Sequence, residues 1–279
     1  MVVGAGQVGL LTAIELTLGG VGVLVLERLA AGSAATKALT VGPLGSEALQ
    51  RRGMAAAMAA AEAHSLAAMK PFMEQIGSRR RGRSSKISGH FAGLSLIRAD
   101  AQKDPERRSH AVDQQAVEAM LADRAGLLGI AVRRACEVVG FVEQSHGIDV
   151  KWASPAGEGR IHLIDCDGGR SSLRKMAGFD FPGTPPTMTM YQAVAELDHS
   201  EALPAGFHHT SGGVLINGPL PGRLFLLDFS GPPEDRESPV TREEIEDVLR
   251  RISGSDIRVK AVAVGRTIPG LSTTITGGG

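Results

Sequence analysis

Two glycine-rich segments carry the groups of this sequence that could grip a phosphorylated ligand. The first is Val2-Val3-Gly4-Ala5-Gly6-Gln7-Val8-Gly9; after Val21-Gly22-Val23-Leu24-Val25-Leu26 the chain reaches Glu27-Arg28. In this GxGxxG spacing Gly4 permits a tight turn, Gly6 puts no side chain between backbone and pyrophosphate, and Gly9 lets the following helix pack closely. Gln7 and Val8 open that helix, whose first N–H groups and positive dipole end suit an anion. Glu27 can accept hydrogen bonds from ribose hydroxyls and would repel a 2′-phosphate, which argues against NADP in this site without separating NAD from FAD. The second segment is Asp165-Cys166-Asp167-Gly168-Gly169-Arg170-Ser171. Its Asp167-Gly168 pair suits a hairpin turn as well as a ligand loop.

The surrounding pattern supplies elements that would position both segments. Leu10, Leu11, Ile14, Leu16 and Leu18 predict a helix ended by Gly19-Gly20, followed by a β-branched strand. Ser46 to His64 predicts an Ala- and Met-rich helix, Ile87 to Ile97 a strand or hairpin arm, and Asp113 to Leu128 a helix capped by Asp113. Val132 to Arg134, Glu137 to Glu143, Gly147 to Trp152 and Arg160 to Ile164 predict a β-meander returning to a final parallel strand that delivers Asp167 at its C-terminal end. Beyond Gly183 the pattern changes to a strand at Thr187 to Leu197, a hairpin over Gly212 to Phe229, and an amphipathic helix opened by the capping box Thr241-Arg242-Glu243-Glu244. The expected architecture is α/β: a Rossmann-like sheet of glutathione-reductase type with an inserted, mostly antiparallel β substrate domain. The boundaries read as 1–78 and 106–180 for the nucleotide-binding domain, 79–105 for an arm of the substrate domain, 181–260 for the substrate domain and 261–279 for an irregular tail. Only Met1-Val2-Val3 precede the first glycine, so the first strand reads as clipped against a usual length of about 5–6 residues.

Composition narrows the function classes. Formal net charge is zero, so no global field draws nucleic acid or a membrane surface. The basic run Arg79 to Lys86 lacks interleaved aromatics and reads as a solvated loop. Cys136 and Cys166 lack metal-ligand spacing, and His208-His209 would point to opposite faces of a strand, so no metal is expected. No signal peptide or run of about 18 apolar residues is present, and a reducing cytoplasmic setting is the expectation.

Three pieces together resemble the FAD-dependent aromatic-ring hydroxylases of the para-hydroxybenzoate hydroxylase type, on their polyketide and rifampicin monooxygenase branch. They are the GAGxxG unit ending in Glu27-Arg28, the segment Asp165 to Arg174, and Ala177-Gly178-Phe179-Asp180-Phe181-Pro182-Gly183. The resemblance implies FAD held through Gly4, Gly6, Gly9 and Glu27, NADPH as reducing co-substrate, and O2 activated as a flavin C4a-hydroperoxide that hydroxylates an aromatic or polyketide-type small molecule. It makes Asp167 the aspartate of the family's DG motif, ordering its loop with Gly168, and lets Arg170 balance phosphate charge. Gln114 matches a glutamine near the family's FAD, although a polar residue in the first turn of a helix is ordinary. Lys37 stands where an arginine commonly touches the cofactor, keeping the charge but losing the planar fork.

Other positions depart from the pattern. Asp165 replaces a usual glycine and adds negative charge near the phosphate region unless it points away. Gly45 replaces an arginine and Asp113 a proline. After Ser253 no Gly-Asp segment of the family's third motif follows, so the expectation is a C-terminally truncated relative. The competing readings are a catalytically incomplete FAD- or adenosine-binding fragment and a NAD-linked Rossmann oxidoreductase. No catalytic residue, substrate or oligomeric state is assigned.

Overall fold

Val2 and Val3 are both buried but serve different cores, which makes the first strand the spine of its domain. The computed structural model describes all residues except 33–37, 80–86, 92–93, 99–100, 102, 105–106, 154–156, 199–202, 204–205, 219, 221, 233–237, 268–270 and 273–279. In chain order, β1 (Val2–Val3), α1 (Gln7–Leu18) and β2 (Leu24–Leu26) form the opening unit. There follow α2 (Pro43–Leu49), a kinked turn over Gln50–Met54, α3 (Ala55–Arg79), β3 (Ile87–Phe91), β4 (Leu94–Arg98) and α4 (Gln114–Leu127). Next come β5 (Ala131–Arg133), β6 (Glu137–Gln144), β7 (Gly147–Ala153), β8 (Gly157–Ile161), β9 (Ile164–Asp165), α5 (Ser172–Met176) and β10 (Gly183–Thr184). The chain continues through β11 (Thr189–Leu197), β12 (Gly206–His209), β13 (Gly213–Asn217), β14 (Arg223–Asp228), α6 (Arg242–Ser253), β15 (Val259–Thr267) and β16 (Leu271–Ser272). The contacts divide the described residues into two units, one within 1–65 and 107–181, the other within 66–106 and 182–274.

In the first unit a parallel sheet runs in the order β5-β2-β1-β9. Successive strand residues face opposite ways, so Val2 and Val25 join a core with Leu10 and Ile14 of α1, Met58 of α3 and Leu121 of α4. Val3 and Leu26 join a second core with Val138 of β6, Val150 and Trp152 of β7, and Leu173 of α5. Helices thus cover one face of the sheet, and the β6-β7-β8 meander with α5 covers the other, as an all-parallel sheet requires. Asp113 caps α4, its Oδ1 accepting from the N–H of Ala116 at 2.8 Å. The final strand is separate from the meander: β8 ends at Ile161 and β9 spans Ile164–Asp165, so the single Arg160 to Ile164 strand expected from sequence is two.

The second unit contains an antiparallel sheet in the order β12-β13-β14-β11-β15. Tyr191, Ala193, Leu215, Leu224 and Leu226 pack there with Ile245, Val248, Leu249 and Ile252 of α6. Thr241 caps α6 by accepting from the N–H of Glu244 at 3.1 Å, and Gly254 ends it in the left-handed region. Two expectations are corrected here. The predicted Ser46 to His64 helix is broken over Gln50–Met54, where Gly53 takes a positive φ of 83°, and then continues to Arg79. The segment read as an irregular tail from 261 begins inside β15, which pairs antiparallel with β11, with Val264 opposite Ala193. The partner strand lies far away in sequence, so local periodicity could not reveal the pairing. The basic run beyond Arg79 and the terminal residues from 273 lie outside the described residues.

A buried carboxylate ties α3 to the segment leading into α4. Glu62 accepts from Arg108 Nη1 and Nη2 at 2.7 and 2.8 Å and from the N–H of Ala111 at 3.1 Å, with His110 Nδ1 at 3.0 Å. The Arg108 bonds, helped by His110 and Ala111, outweigh burial and hold Glu62 at about 2 against an ordinary 4.5. A depressed carboxyl contributes stability that is present above the unfolded value and is lost as pH falls through the folded one. Because Arg108 is half exposed, about 2 kcal/mol is a reasonable discounted magnitude. Thermal denaturation should therefore show Glu62→Gln less stable by that amount at neutral pH and less acid-sensitive than the parent between pH 4.5 and about 2.

A second expectation concerns Gly9. A Cβ there would collide with the Gly4 carbonyl oxygen, lie 3.0 Å from the Gly4 carbonyl carbon and 3.3 Å from Cys166 Cβ. The Gly4 backbone leaves little to yield, so Gly9→Ala should cost about 1–3 kcal/mol in chemical denaturation.

Candidate functional site

The three chain segments that leave the C-terminal ends of β1, β2 and β9 converge, because those strands are neighbours in one parallel sheet. After β1, Gly4 takes a φ of 102°, and a Cβ there would fall 2.8 Å from the Cys166 carbonyl carbon. Gly6 is the N-cap of α1 in extended conformation, offers no capping side chain, and has open space where a Cβ would stand. The first N–H groups of α1 are thereby left to a ligand or to solvent.

Glu27, directly after β2, turns back on this turn. Its Oε2 accepts from the N–H of Ala5 at 2.8 Å and its Oε1 from the N–H of Leu29 at 2.8 Å. Each carboxylate oxygen has a second lone pair, so bracing the turn leaves acceptor capacity for a hydroxyl.

After β9, the loop Asp165 to Ser171 is closed by its own side chains. Asp165 Oδ1 accepts from the N–H of Asp167 at 2.9 Å, and Asp165 Oδ2 from Ser171 Oγ at 2.6 Å. Ser171 Oγ accepts from the N–H of Arg174 at 2.9 Å, capping α5. Asp167 Oδ2 accepts from the N–H groups of Ser172 and Leu173 at 2.8 and 3.3 Å, while its Oδ1 is buried without a partner. Burial, with the Asp167 charge beside it, pushes the Asp165 carboxyl up. For Asp167 burial is again the largest single influence, but the bonds from Ser171, Asp165 and the two N–H groups outweigh it and hold that carboxyl down. Gly168 takes a φ of 94°, which strongly favours glycine.

A cavity of about 390 Å3 lies where these segments meet, lined by Gly4, Gly6, Gln7, Val8, Glu27, Arg28, Gln114, Asp167 and Gly168. The structure thus brings nine of the sequence candidates to one place. Gly9 sits behind this surface in the α1 contact, exposed Arg170 stands outside the lining, and Lys37 lies outside the described residues. Glu118, which sequence reasoning passed over, also lines the cavity and accepts from Gln114 Nε2 at 2.8 Å. The i, i+4 spacing of the two residues on a predicted helix was a usable signal. Cys136 and Val138 line it too, brought there by the turn after β5.

Two further cavities adjoin. One of about 310 Å3 is lined by Gln7, Val41, Gly45 and Gln114; a Cβ on Gly45 would lie 3.1 Å from Val41 Cγ1, so this wall is tight at its root. The other, about 640 Å3, shares Asp167 and Gly168 of the β9 loop with the first and is lined also by Phe141, Ile148, Leu163, Phe179 and Phe181 together with Asp165. Asp165 thus lines this cavity rather than the glycine-turn cavity, which answers the concern raised by its charge. Within the second unit, alternation along β11 buries Tyr191, Ala193 and Ala195 against α6. Met190, Gln192 and Val194 therefore fall on the other face, beside Leu227 and Phe225 of β14 by strand register.

The profile of the FAD binding domain family matches residues 1–269. The 12-dehydrotetracycline 5-monooxygenase/anhydrotetracycline 6-monooxygenase of Streptomyces rimosus is 33% identical over 92% of this chain and 50% of its own length. A rifampicin monooxygenase of Streptomyces venezuelae is 30% identical over 93% of this chain and 51% of its own. The anhydrotetracycline hydroxylase structure from Streptomyces rimosus superposes with a TM-score of 0.67 at 28% identity, covering 95% of this chain and 51% of that one. The chain spans about half the length of these relatives. On this match the chain belongs to the FAD binding domain family, and it is similar to tetracycline and rifampicin monooxygenases.

Proposed function

We propose that this chain holds the adenosine diphosphate half of FAD in the glycine-turn cavity and forms the cofactor- and substrate-binding part of an NADPH-using monooxygenase acting on an aromatic, polyketide-type molecule. The observation that carries this reading is the convergence of Gly6, Glu27 and Asp167 on one cavity from three adjacent strand ends. The residues fit a diphosphate: open space stands over Gly6, and the helix behind it lacks a side-chain cap. In this proposal the first N–H groups of α1 bind the diphosphate and Glu27 takes ribose hydroxyls while keeping the turn braced through Ala5. Arg28 borders the cavity as a positive charge, with Arg170 and Lys37 as further candidates for balancing phosphate. Gln114, oriented by Glu118, contacts the polyol. Asp167 shapes its loop rather than attracting the anion. FAD, reduced by NADPH, supplies the oxygen-transfer chemistry with O2 when bound, and the protein supplies orientation and exclusion of water. The Met190, Gln192 and Phe225 face of the antiparallel sheet offers apolar area with one amide for an aromatic ring.

FAD titration of the purified chain, followed by flavin fluorescence and the visible spectrum, tests the cofactor assignment. Saturable binding is expected, and Gly6→Ala should lower affinity about tenfold, roughly 1.4 kcal/mol, with Tm unchanged because the added methyl enters open space. Absence of bound flavin at excess FAD would refute the assignment, and tight NAD binding insensitive to FAD would replace it with a NAD-linked one. NADPH oxidation that rises on adding a polyphenol or polyketide is the corresponding check on the reaction; none would be seen if the chain is only a binding fragment.

A further inference from the structure

Two segments that share the wall of the site lie outside the sheets. Val41 and His110 pair in an isolated antiparallel bridge, each N–H donating to the other's carbonyl at 2.9 Å, and the N–H of Gln114 donates to the Ala38 carbonyl at 3.0 Å. Ala38 and Val41 on one segment, with Val112 and Gln114 on the other, line the cavity of about 310 Å3, and Gln114 lines the glycine-turn cavity as well. These backbone bonds fix the two segments to each other. Val112 and Glu62 tie them to the body of the unit. Val112 is buried in the core that α1, α3 and α4 share, but apolar burial is non-directional and does not set where the neighbouring peptide groups point. The Glu62 contact is directional. This α3 side chain, 8% exposed, accepts from the N–H of Ala111 and stands 3.0 Å from His110 Nδ1, while Arg108 closes its outer side.

We propose that Glu62 is the positioning residue for this wall: through the Ala111 N–H and the His110 imidazole it sets where Gln114 and the Val41 segment stand, and so how the part of FAD beyond the diphosphate is gripped. This inference rests on the FAD reading of the glycine-turn cavity, in which Gln114 contacts the polyol. Ala111 stands directly before Val112 and the α4 cap Asp113, so a shift there passes into the first turn of α4. A carboxylate suits the post because it only accepts, and one side chain meets a guanidinium, an imidazole and a peptide N–H together. Glutamine in its place would turn one oxygen into a donor among donors, and the bonds to Ala111 and His110 could not all persist. The glycine-turn end of the site stands on other supports, the approach of Gly4 to the Cys166 carbonyl and the bond from Ala5 to Glu27. Glu62 therefore acts on one end of the bound molecule and not on the other.

FAD and, separately, ADP, which lacks the polyol and the ring, are titrated into the parent chain, Glu62→Gln, Gln114→Ala and the double variant, well below their melting temperatures. Glu62→Gln should weaken FAD about fivefold, the size of one net hydrogen bond, and leave ADP unchanged. Gln114→Ala should do the same. The double variant should lose less than the product of the two effects, because Glu62 acts through Gln114. Thr241→Ala, which removes the α6 cap in the second unit, should lower Tm and leave both affinities at the parent's values, separating position from stability. An unchanged FAD affinity in Glu62→Gln, equal weakening of FAD and ADP, or losses that multiply in the double variant overturns the proposal. Should Glu62→Gln not fold, Glu62→Asp keeps the charge for Arg108 but withdraws the carboxylate from Ala111, and must show the same split between FAD and ADP. Amide hydrogen exchange of the ligand-free chain needs no binding. Glu62→Gln should speed exchange at the N–H groups of Val41, Ala111 and Gln114 relative to that of Ala5, and an equal change at all of these overturns the proposal. If the parent binds neither FAD nor ADP, the cofactor assignment fails, and this exchange pattern alone decides whether Glu62 positions the wall.

Discussion

The candidate site depends on one close approach, in which the first turn of α1 lies directly on the backbone of the Gly4 turn and against the chain after β9. No Cβ fits at Gly9 because the Gly4 carbonyl occupies its place, and none fits at Gly4 because of the Cys166 carbonyl. Helix, turn and the β9 loop are therefore in close contact largely through backbone, with the Cys166 side chain against Gly9. That contact brings the N-terminus of α1 and the aspartate loop to the same cavity, and it carries the hydrophobic cores on both faces of the sheet towards the site through the alternation of Val2 and Val3.

Carboxylates then do the local work that backbone ladders cannot reach. Glu27 braces the glycine turn through Ala5, Asp167 accepts from the first N–H groups of α5, and Glu62 fixes the approach to α4 through Arg108, His110 and Ala111. An acceptor-only group with two oxygens suits such duty, since one side chain satisfies several N–H donors. The cost is negative charge beside a cavity assigned to a diphosphate. In the β9 loop Asp165 lines the apolar cavity rather than the glycine-turn cavity.

The second unit is organised by different means. Its sheet is antiparallel, α6 covers one face, and the other face carries Met190, Gln192 and Phe225. An antiparallel sheet tolerates such one-sided covering, whereas a parallel sheet does not.

The amino-acid sequence by itself determined the elements whose information is local: the glycine spacing from Gly4 to Gly9, Glu27 after the second strand, the caps Asp113 and Thr241, and the amphipathic face of α6. Each is settled within one turn of helix or one alternating strand, and the resemblance to the aromatic-ring hydroxylases rests on the same short motifs. Only the tertiary structure decided what depends on residues distant in sequence. β9 takes its place beside β1 and so sets Asp167 against the Gly4 turn. β15 becomes a strand because β11 offers it a partner across the sheet, where local pattern suggested a tail. Glu118 reaches the cavity because Gln114 does. Asp165 lines the apolar cavity rather than the glycine-turn cavity, its two oxygens accepting from Ser171 and the Asp167 N–H. Side-chain direction and strand pairing follow from which backbone donors stand within reach after folding, and a one-dimensional pattern does not contain those distances.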